Sequence, residues 1–178
     1  MILDKHMIVL RILDDQNRLT ERADQKAISL LSTLGLFMVF FVAHFQSIPL
    51  NTLSIILLII YFISVLLAII HIVTAITPRI RSDSGHTPQM NDPVAYQTTF
   101  FGGIVKFPDL TAYRQSLEVT LRDDASITDA YIQQIYAVAK INDTKYKLVG
   151  RAVVLVVMAL LTQLSLIAYT FATLSITV

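Results

Sequence analysis

The chain has 178 residues, of which 54% are hydrophobic and only 15% charged, with five Gly, five Pro, no Cys and a formal net charge of +1. A soluble domain carries about 25% charged residues. Without Cys there is no disulfide framework, zinc-finger spacing or thiol nucleophile, and a net charge near zero gives nucleic-acid binding no global electrostatic support.

The missing charge defines three apolar runs, 27–45, 53–76 and 152–174, that hold no Asp, Glu, Lys or Arg. At about 1.5 Å of rise per helical residue, each is long enough to cross a hydrocarbon core of about 30 Å. An all-α membrane protein with three transmembrane helices is expected. Because 26 mostly polar residues precede the first run, no N-terminal signal peptide is expected.

Residues 1–26 read as a cytoplasmic amphipathic helix that continues into the first span, 27–45. Leu3, Leu10, Leu13, Asn17, Asp24, Ala27, Leu31, Leu34, Met38, Phe41 and Phe45 share one seven-residue seam, with neither Pro nor Gly before Gly35. The seam turns polar at Asn17, Thr20 and Asp24, which reads either as packing against other cytoplasmic helices or as a ligand contact. Pro49 and Asn51 then turn the chain tightly between spans one and two. Thr77-Pro78 ends the second span, because Pro lacks the amide donor and restricts the residue before it.

The region 77–150 is expected to be cytoplasmic and helical. Its 82–93 stretch (SDSGHTPQMNDP) is rich in turn formers and reads as mobile. In 98–108, aromatic residues flank Gly102-Gly103, a pattern that suits either a short strand pair or an interfacial segment. Asp109 is placed to cap a helix over 110–121, and Ser126-Ile127-Thr128-Asp129 resembles a capping box. Tyr131, Ile135, Val138, Ile141 and Leu148 then recur at helical spacing, and no Pro follows. One helix is therefore expected to run from the 126–129 box through the third span, 152–174.

All fourteen Lys and Arg and all thirteen Asp and Glu fall at 4–26 or 79–151. The positive-inside rule counts Lys and Arg near span ends. It puts the N-terminus and 77–150 in the cytoplasm, with the 46–52 connection and the C-terminus outside.

No HExxH, G-x-S-x-G, Walker or G-x-G-x-x-G pattern is present, His6, His44, His71 and His86 are isolated, and no span holds a carboxylate. Neither a catalytic residue, a metal site nor a cofactor is expected. The polar residues within the spans are more informative: Ser32 and Thr33 in the first, His71 in the second and Gln163 at the centre of the third. They read either as interhelical hydrogen-bonding groups or as the lining of a wet path, which from three helices per chain requires a homo-oligomer. Arg22, Lys26, Arg79, Arg81, Lys145, Lys147 and Arg151 gather at the inner boundary. There they either contact anionic lipid headgroups or form an anion site.

Three short motifs extend from about Arg22 to Thr170: Arg22-Ala23-Asp24-Gln25-Lys26-Ala27 entering the first span, Phe100-Phe101-Gly102-Gly103-Ile104 followed by Pro108 and the Tyr113 helix, and Gln134-Ile135-Tyr136 leading to Lys145-Tyr146 and Arg151. Through them the chain resembles the transmembrane effectors of bacterial Pycsar anti-phage systems. The resemblance implies a multi-pass protein of the bacterial inner membrane that responds to a cyclic pyrimidine nucleotide, cCMP or cUMP, made by a partner cyclase. Such effectors impair the membrane, so that infection aborts. The chain has neither the length nor the Gly-containing phosphate cassette of a separate β-roll nucleotide domain. A bound nucleotide is accordingly expected among cytoplasmic helices, at Asp24, Lys26, Lys145, Tyr146 and Arg151. The alternative is a non-enzymatic membrane scaffold that docks a cytoplasmic partner.

Overall fold

The computed structural model describes residues 2–77 and 98–177, and the turn-rich stretch 82–93 lies outside them. The described residues are helical: α1 (Ile2–His44), α2 (Thr52–Ile76), α3 (Phe101–Ile104), α4 (Leu110–Thr120) and α5 (Asp124–Thr177), with one 3-10 turn at Phe45–Ser47. Three helices are long and apolar enough to cross a membrane. Two compact units divide the chain, Met1–Glu21 with Pro78–Asp143 and Arg22–Thr77 with Thr144–Val178.

In the second unit α1 and α2 form a hairpin. Asn51 caps α2, its side-chain oxygen accepting from the Ser54 amide at 2.9 Å. That satisfies one of the donors a helix start leaves free. The core is three stripes at helical spacing: Ala27, Leu34 and Phe41 from α1; Tyr61, Val65, Ala68, Ile72 and Ala75 from α2; Val149, Ala152, Val156, Ala159 and Leu166 from α5. Five of these thirteen are Ala, and small residues let helix backbones approach where lipid supplies no hydrophobic drive. Phe41 packs with its ring centroid 4.6 Å from Tyr61 and 5.5 Å from Phe62. Leu30, Met38, Leu57 and Leu155 are among those packed against this core, while Val39, Leu66 and Leu161 are exposed.

The first unit is held by polar contacts as much as by apolar ones. Leu13 and Val138 are buried, and so is Asn142, at 4% exposure. The Asn142 amide nitrogen donates to the backbone oxygen of Gln16 at 2.8 Å, and its oxygen accepts from the Thr20 hydroxyl at 2.6 Å. Tyr113 Oη donates to the Thr98 carbonyl, while the Thr98 and Thr120 hydroxyls meet at 3.2 Å.

Several sequence expectations change in detail. The strand-pair alternative for 98–108 does not occur: Phe101–Ile104 is a short helix whose Gly102 and Gly103 are buried. Asp109 caps α4 as expected, accepting from the Ala112 amide at 2.8 Å. The start of α5 lies earlier than the 126–129 box. Asp123 is the capping residue, taking the Ser126 amide and hydroxyl, each at 2.8 Å. An Asp just ahead of the first turn outcompetes the Ser because its carboxylate accepts both donors at once.

The α1 seam is also shifted. Leu13, Ala27, Leu34 and Phe41 are buried as the pattern requires, yet Asn17 and Leu31 are exposed and Ala23 is buried in place of Asp24. The row Leu13, Ala27, Leu34 and Phe41 keeps its seven-residue spacing, while in the companion row burial falls on Ala23, one position before Asp24. Met7, Ile8 and Leu10 remain exposed at 64%, 58% and 47%.

Candidate functional site

The expected inner-boundary set resolves into two contacts in the second unit. Lys145 Nζ donates to both carboxylate oxygens of Asp24, at 2.6 and 2.8 Å. The lysine side chain is 14% exposed and the aspartate 35%, so the pair is half withdrawn from water. Charge-assisted bonds of this kind are about twice as strong as neutral ones. Beside them Lys26 Nζ lies 5.7 Å from the Tyr146 ring centroid, within range of a cation–π contact.

Asp24 thus meets Lys145, and Lys26 meets Tyr146, as two pairs between neighbouring turns of α1 and α5. Arg151 is not among them. It lies six residues beyond Lys145, about 240° round the helix at 3.6 residues per turn, and is exposed. Arg79 and Arg81 lie outside the described residues. The first pair combines a cation held by a replaceable carboxylate; the second offers an aromatic face with a positive charge over it. Chemically the group can exchange one anion for another and can stack a planar ring.

The polar positions of the spans divide differently from the expectation that groups them. Thr33 donates to the Ser29 carbonyl at 2.9 Å, and His71 Nδ1 lies 2.8 Å from the Leu67 carbonyl, each one turn back on its own helix. Ser32 and Thr33 are exposed. Ser29 and Thr74 also bond the carbonyl one turn back. A hydroxyl in a transmembrane helix satisfies itself this way when no partner helix offers a group.

Gln163 behaves otherwise. At 2% exposure it sits inside the bundle, and its amide nitrogen donates across to the Phe37 carbonyl of α1 at 2.9 Å. Since a carbonyl accepts and does not donate, this contact fixes which end of the amide is nitrogen. The oxygen end, Gln163 Oε1, has no partner. With Asp24–Lys145 and Phe37–Gln163 in the same unit, α1 and α5 run parallel.

Two polar contacts escaped sequence reasoning. Asn51 Nδ2 donates to Tyr169 Oη at the end of the bundle where α2 begins. Asn142 reaches Gln16 and Thr20 in the first unit. The first had a signal, a Tyr near the end of an apolar run; the second had only a polar residue on the inward side of α5. Among the described residues no three His, Asp or Glu side chains converge where a metal ion could be held.

The family model described as PycTM, Pycsar effector protein domain, matches residues 8–173. No curated protein and no solved structure matches the chain.

Proposed function

The chain belongs to the Pycsar effector protein family, and on that premise we propose that it is an anti-phage effector of the bacterial inner membrane gated by a cyclic pyrimidine nucleotide, cCMP or cUMP, from a partner cyclase. The family implies the membrane action and the cyclase-made signal. The trigger's identity and the place where it binds are this proposal's own.

The observation that carries the site is the Asp24–Lys145 pair, with Lys26 over Tyr146 beside it. The nucleotide phosphate displaces the Asp24 carboxylate from Lys145, and the pyrimidine ring stacks on Tyr146 under the Lys26 ammonium. Exchange of one anion for another leaves Lys145 paired throughout, so the lysine never stands uncompensated in a half-buried site. Arg151 adds attraction for the anion from outside the contact set. Release of Asp24 unfastens α1 from α5 at the inner end of the bundle.

Three helices per chain cannot enclose an aqueous path, so the membrane lesion is assigned to a homo-oligomer in which Ser32, Thr33 and His71 face neighbouring copies or the path. The exposure of Ser32 and Thr33 on a single chain, with His71 half-buried, supports this reading. The charge distribution supports a cytoplasmic N-terminus and 77–150 region with an external C-terminus.

The test is calorimetric titration of the purified full-length protein with cCMP and with cUMP. Binding by one of them is expected, lost on Lys145→Met and altered in affinity on Asp24→Asn, which removes the competing charge. No heat with either nucleotide defeats the direct-sensor reading. A membrane potential that stays unchanged in cells making the nucleotide defeats the lesion.

A second reading, a scaffold docking a cytoplasmic partner, is favoured by the exposed apolar residues of the first unit. Phe101 (62%), Val105 (54%) and Leu110 (73%) cluster within ten residues. A stable co-purifying partner with no conductance in liposomes would establish it instead.

A further inference from the structure

Among the described residues of the first unit, the buried apolar side chains are Leu13 and Val138, while Ile8, Ile12 (42%), Ile132 (50%) and Tyr136 (64%) are exposed. Large apolar side chains exposed in rows mark contact surfaces. These four form two rows, each accompanied by charge. Ile8 and Ile12 stand one turn apart on α1 with Arg11 and Asp15 beside them, and Ile132 and Tyr136 stand one turn apart on α5 between Asp129 and Lys140.

The rows turn away from the α1–α5 contact that Gln16, Thr20 and Asn142 make. On α5, Tyr136 and Lys140 each lie two residues from the buried Val138, about 160° round the helix from it. On α1, Arg11 and Ile8 lie two and five residues before the buried Leu13, about 160° and 140° round. Within one chain neither row covers the other.

Along this stretch α1 and α5 run side by side, tied at one end by His6 and Asp124 (3.9 Å) and at the other by Gln16 and Thr20 with Asn142. Dividing the two helices in proportion between these ties puts Asp129 within about a turn of the height of Arg11, Ile132 and Tyr136 of Ile12, and Lys140 of Asp15. Every such match sets apolar against apolar or a charge against its opposite. Copies inserted with one topology stand parallel, so groups at equal height are the ones that meet.

We propose that these rows are a self-association surface whose occupant is a second copy of this chain: the Asp129–Lys140 row on α5 of one copy packs on the Ile8–Asp15 row on α1 of the next. Two different faces meet, so the contact is heterologous, and its repetition about the membrane normal closes a ring. The inference rests on the homo-oligomer reading above, whose contact it names, and not on the nucleotide reading.

The chain contains no Cys, so introduced cysteines report directly. Ile12→Cys and Tyr136→Cys are made on separate chains with different tags, then expressed alone or together in membranes without nucleotide. A disulfide requires Cα atoms about 4.4–6.8 Å apart. Oxidation is therefore expected to join the two tags in one mixed dimer, with each variant alone staying monomeric. Arg11→Asp in the Ile12→Cys chain is expected to cut the mixed dimer about fivefold by facing Asp129 with a like charge, and Asp129→Arg in the Tyr136→Cys chain to restore it. That restoration excludes misfolding as the cause of the loss.

A dimer from either variant alone means a self-paired face and overturns the heterologous contact. An adduct whose mass is not the sum of two chains puts a different protein on the rows and overturns the proposal. If the mixed dimer is missing while an amine cross-linker still yields oligomers of the parent chain, this surface is wrong and the homo-oligomer stands. If neither product forms, both fall.

Discussion

At the residue scale, the charged groups with close partners sit outside the three apolar runs, and what each partner does to the charge can be read from the contacts. Asp123 is the clearest. The Ser126 amide, then its hydroxyl, hold the carboxyl below its ordinary value of 3.8, and the Ala125 amide adds to this against a small opposing effect of burial. A carboxyl depressed in the folded state stabilises above its unfolded value and loses that contribution as pH falls through the folded one. The first turn of α5 is therefore expected to fray over the interval that opens as pH falls below 3.8. Protection of the Ser126 amide, its exchange compared with the intrinsic rate at each pH, would fall over that interval. Asp123→Asn would keep much of the capping bond while abolishing the pH dependence. Protection at Ser126 that stays flat with pH in the parent chain would refute this account of the cap.

At the element scale, the two long helices differ in what a glycine does to them. A Cβ added at Gly150 or at Gly35 meets nothing within 4 Å, and neither residue has a positive φ. Gly150 precedes the third apolar run, where the unfolded backbone is solvated. Gly150→Ala is expected to stabilise by about 1 kcal/mol, the ordinary helix preference of Ala over Gly. Gly35 lies inside the first span. There the alternative to the native state is still a hydrogen-bonded helix, because lipid offers the backbone no other partner. Gly35→Ala should therefore leave stability nearly unchanged. Denaturant or thermal unfolding in detergent would separate the two, and an equal gain at both would contradict the distinction.

Helix positions were legible because length and the absence of charge determine them. The apolar run 53–76 coincides with the helix Thr52–Ile76, and Asp109 stands where a cap is needed. What stayed hidden were details governed by three-dimensional register. The seven-residue seam placed Asn17 and Leu31 inward, but both are exposed and Ala23 is buried instead. Of the candidate site residues, Asp24 and Lys145 meet and Lys26 joins Tyr146, while Arg151 is directed elsewhere by its six-residue offset. Gln163 was visible as an anomaly in an apolar run. Its division into one satisfied and one orphaned end depends on where the Phe37 carbonyl lies, and no sequence pattern encodes that.

At the scale of the whole molecule, the sequence concentrates every one of its 27 formally charged side chains in 4–26 and 79–151, leaving the α1–α2 connection bare. If the positive-inside rule governs this chain, the connection lies outside and the charged regions inside. Gln46→Cys is then expected to label with an impermeant reagent in intact cells, and Glu21→Cys only in inverted vesicles; both residues are exposed. The reverse pattern would invert the topology and move the nucleotide site to the wrong face of the membrane. Labelling of both from one side would remove the span between them.

The Gln163–Phe37 bond has a further consequence for how α1 and α5 can move. Backbone carbonyls on one face of a helix recur once per turn, about every 5.4 Å. A single amide donor set against that row finds an equivalent acceptor only after a full turn, and at intermediate positions it has none in a medium without water. The contact acts as a ratchet tooth: sliding of α5 along α1 proceeds by whole turns or not at all. Displacement between these two helices is therefore digital, and a distance probe spanning them should record discrete populations instead of a continuous spread.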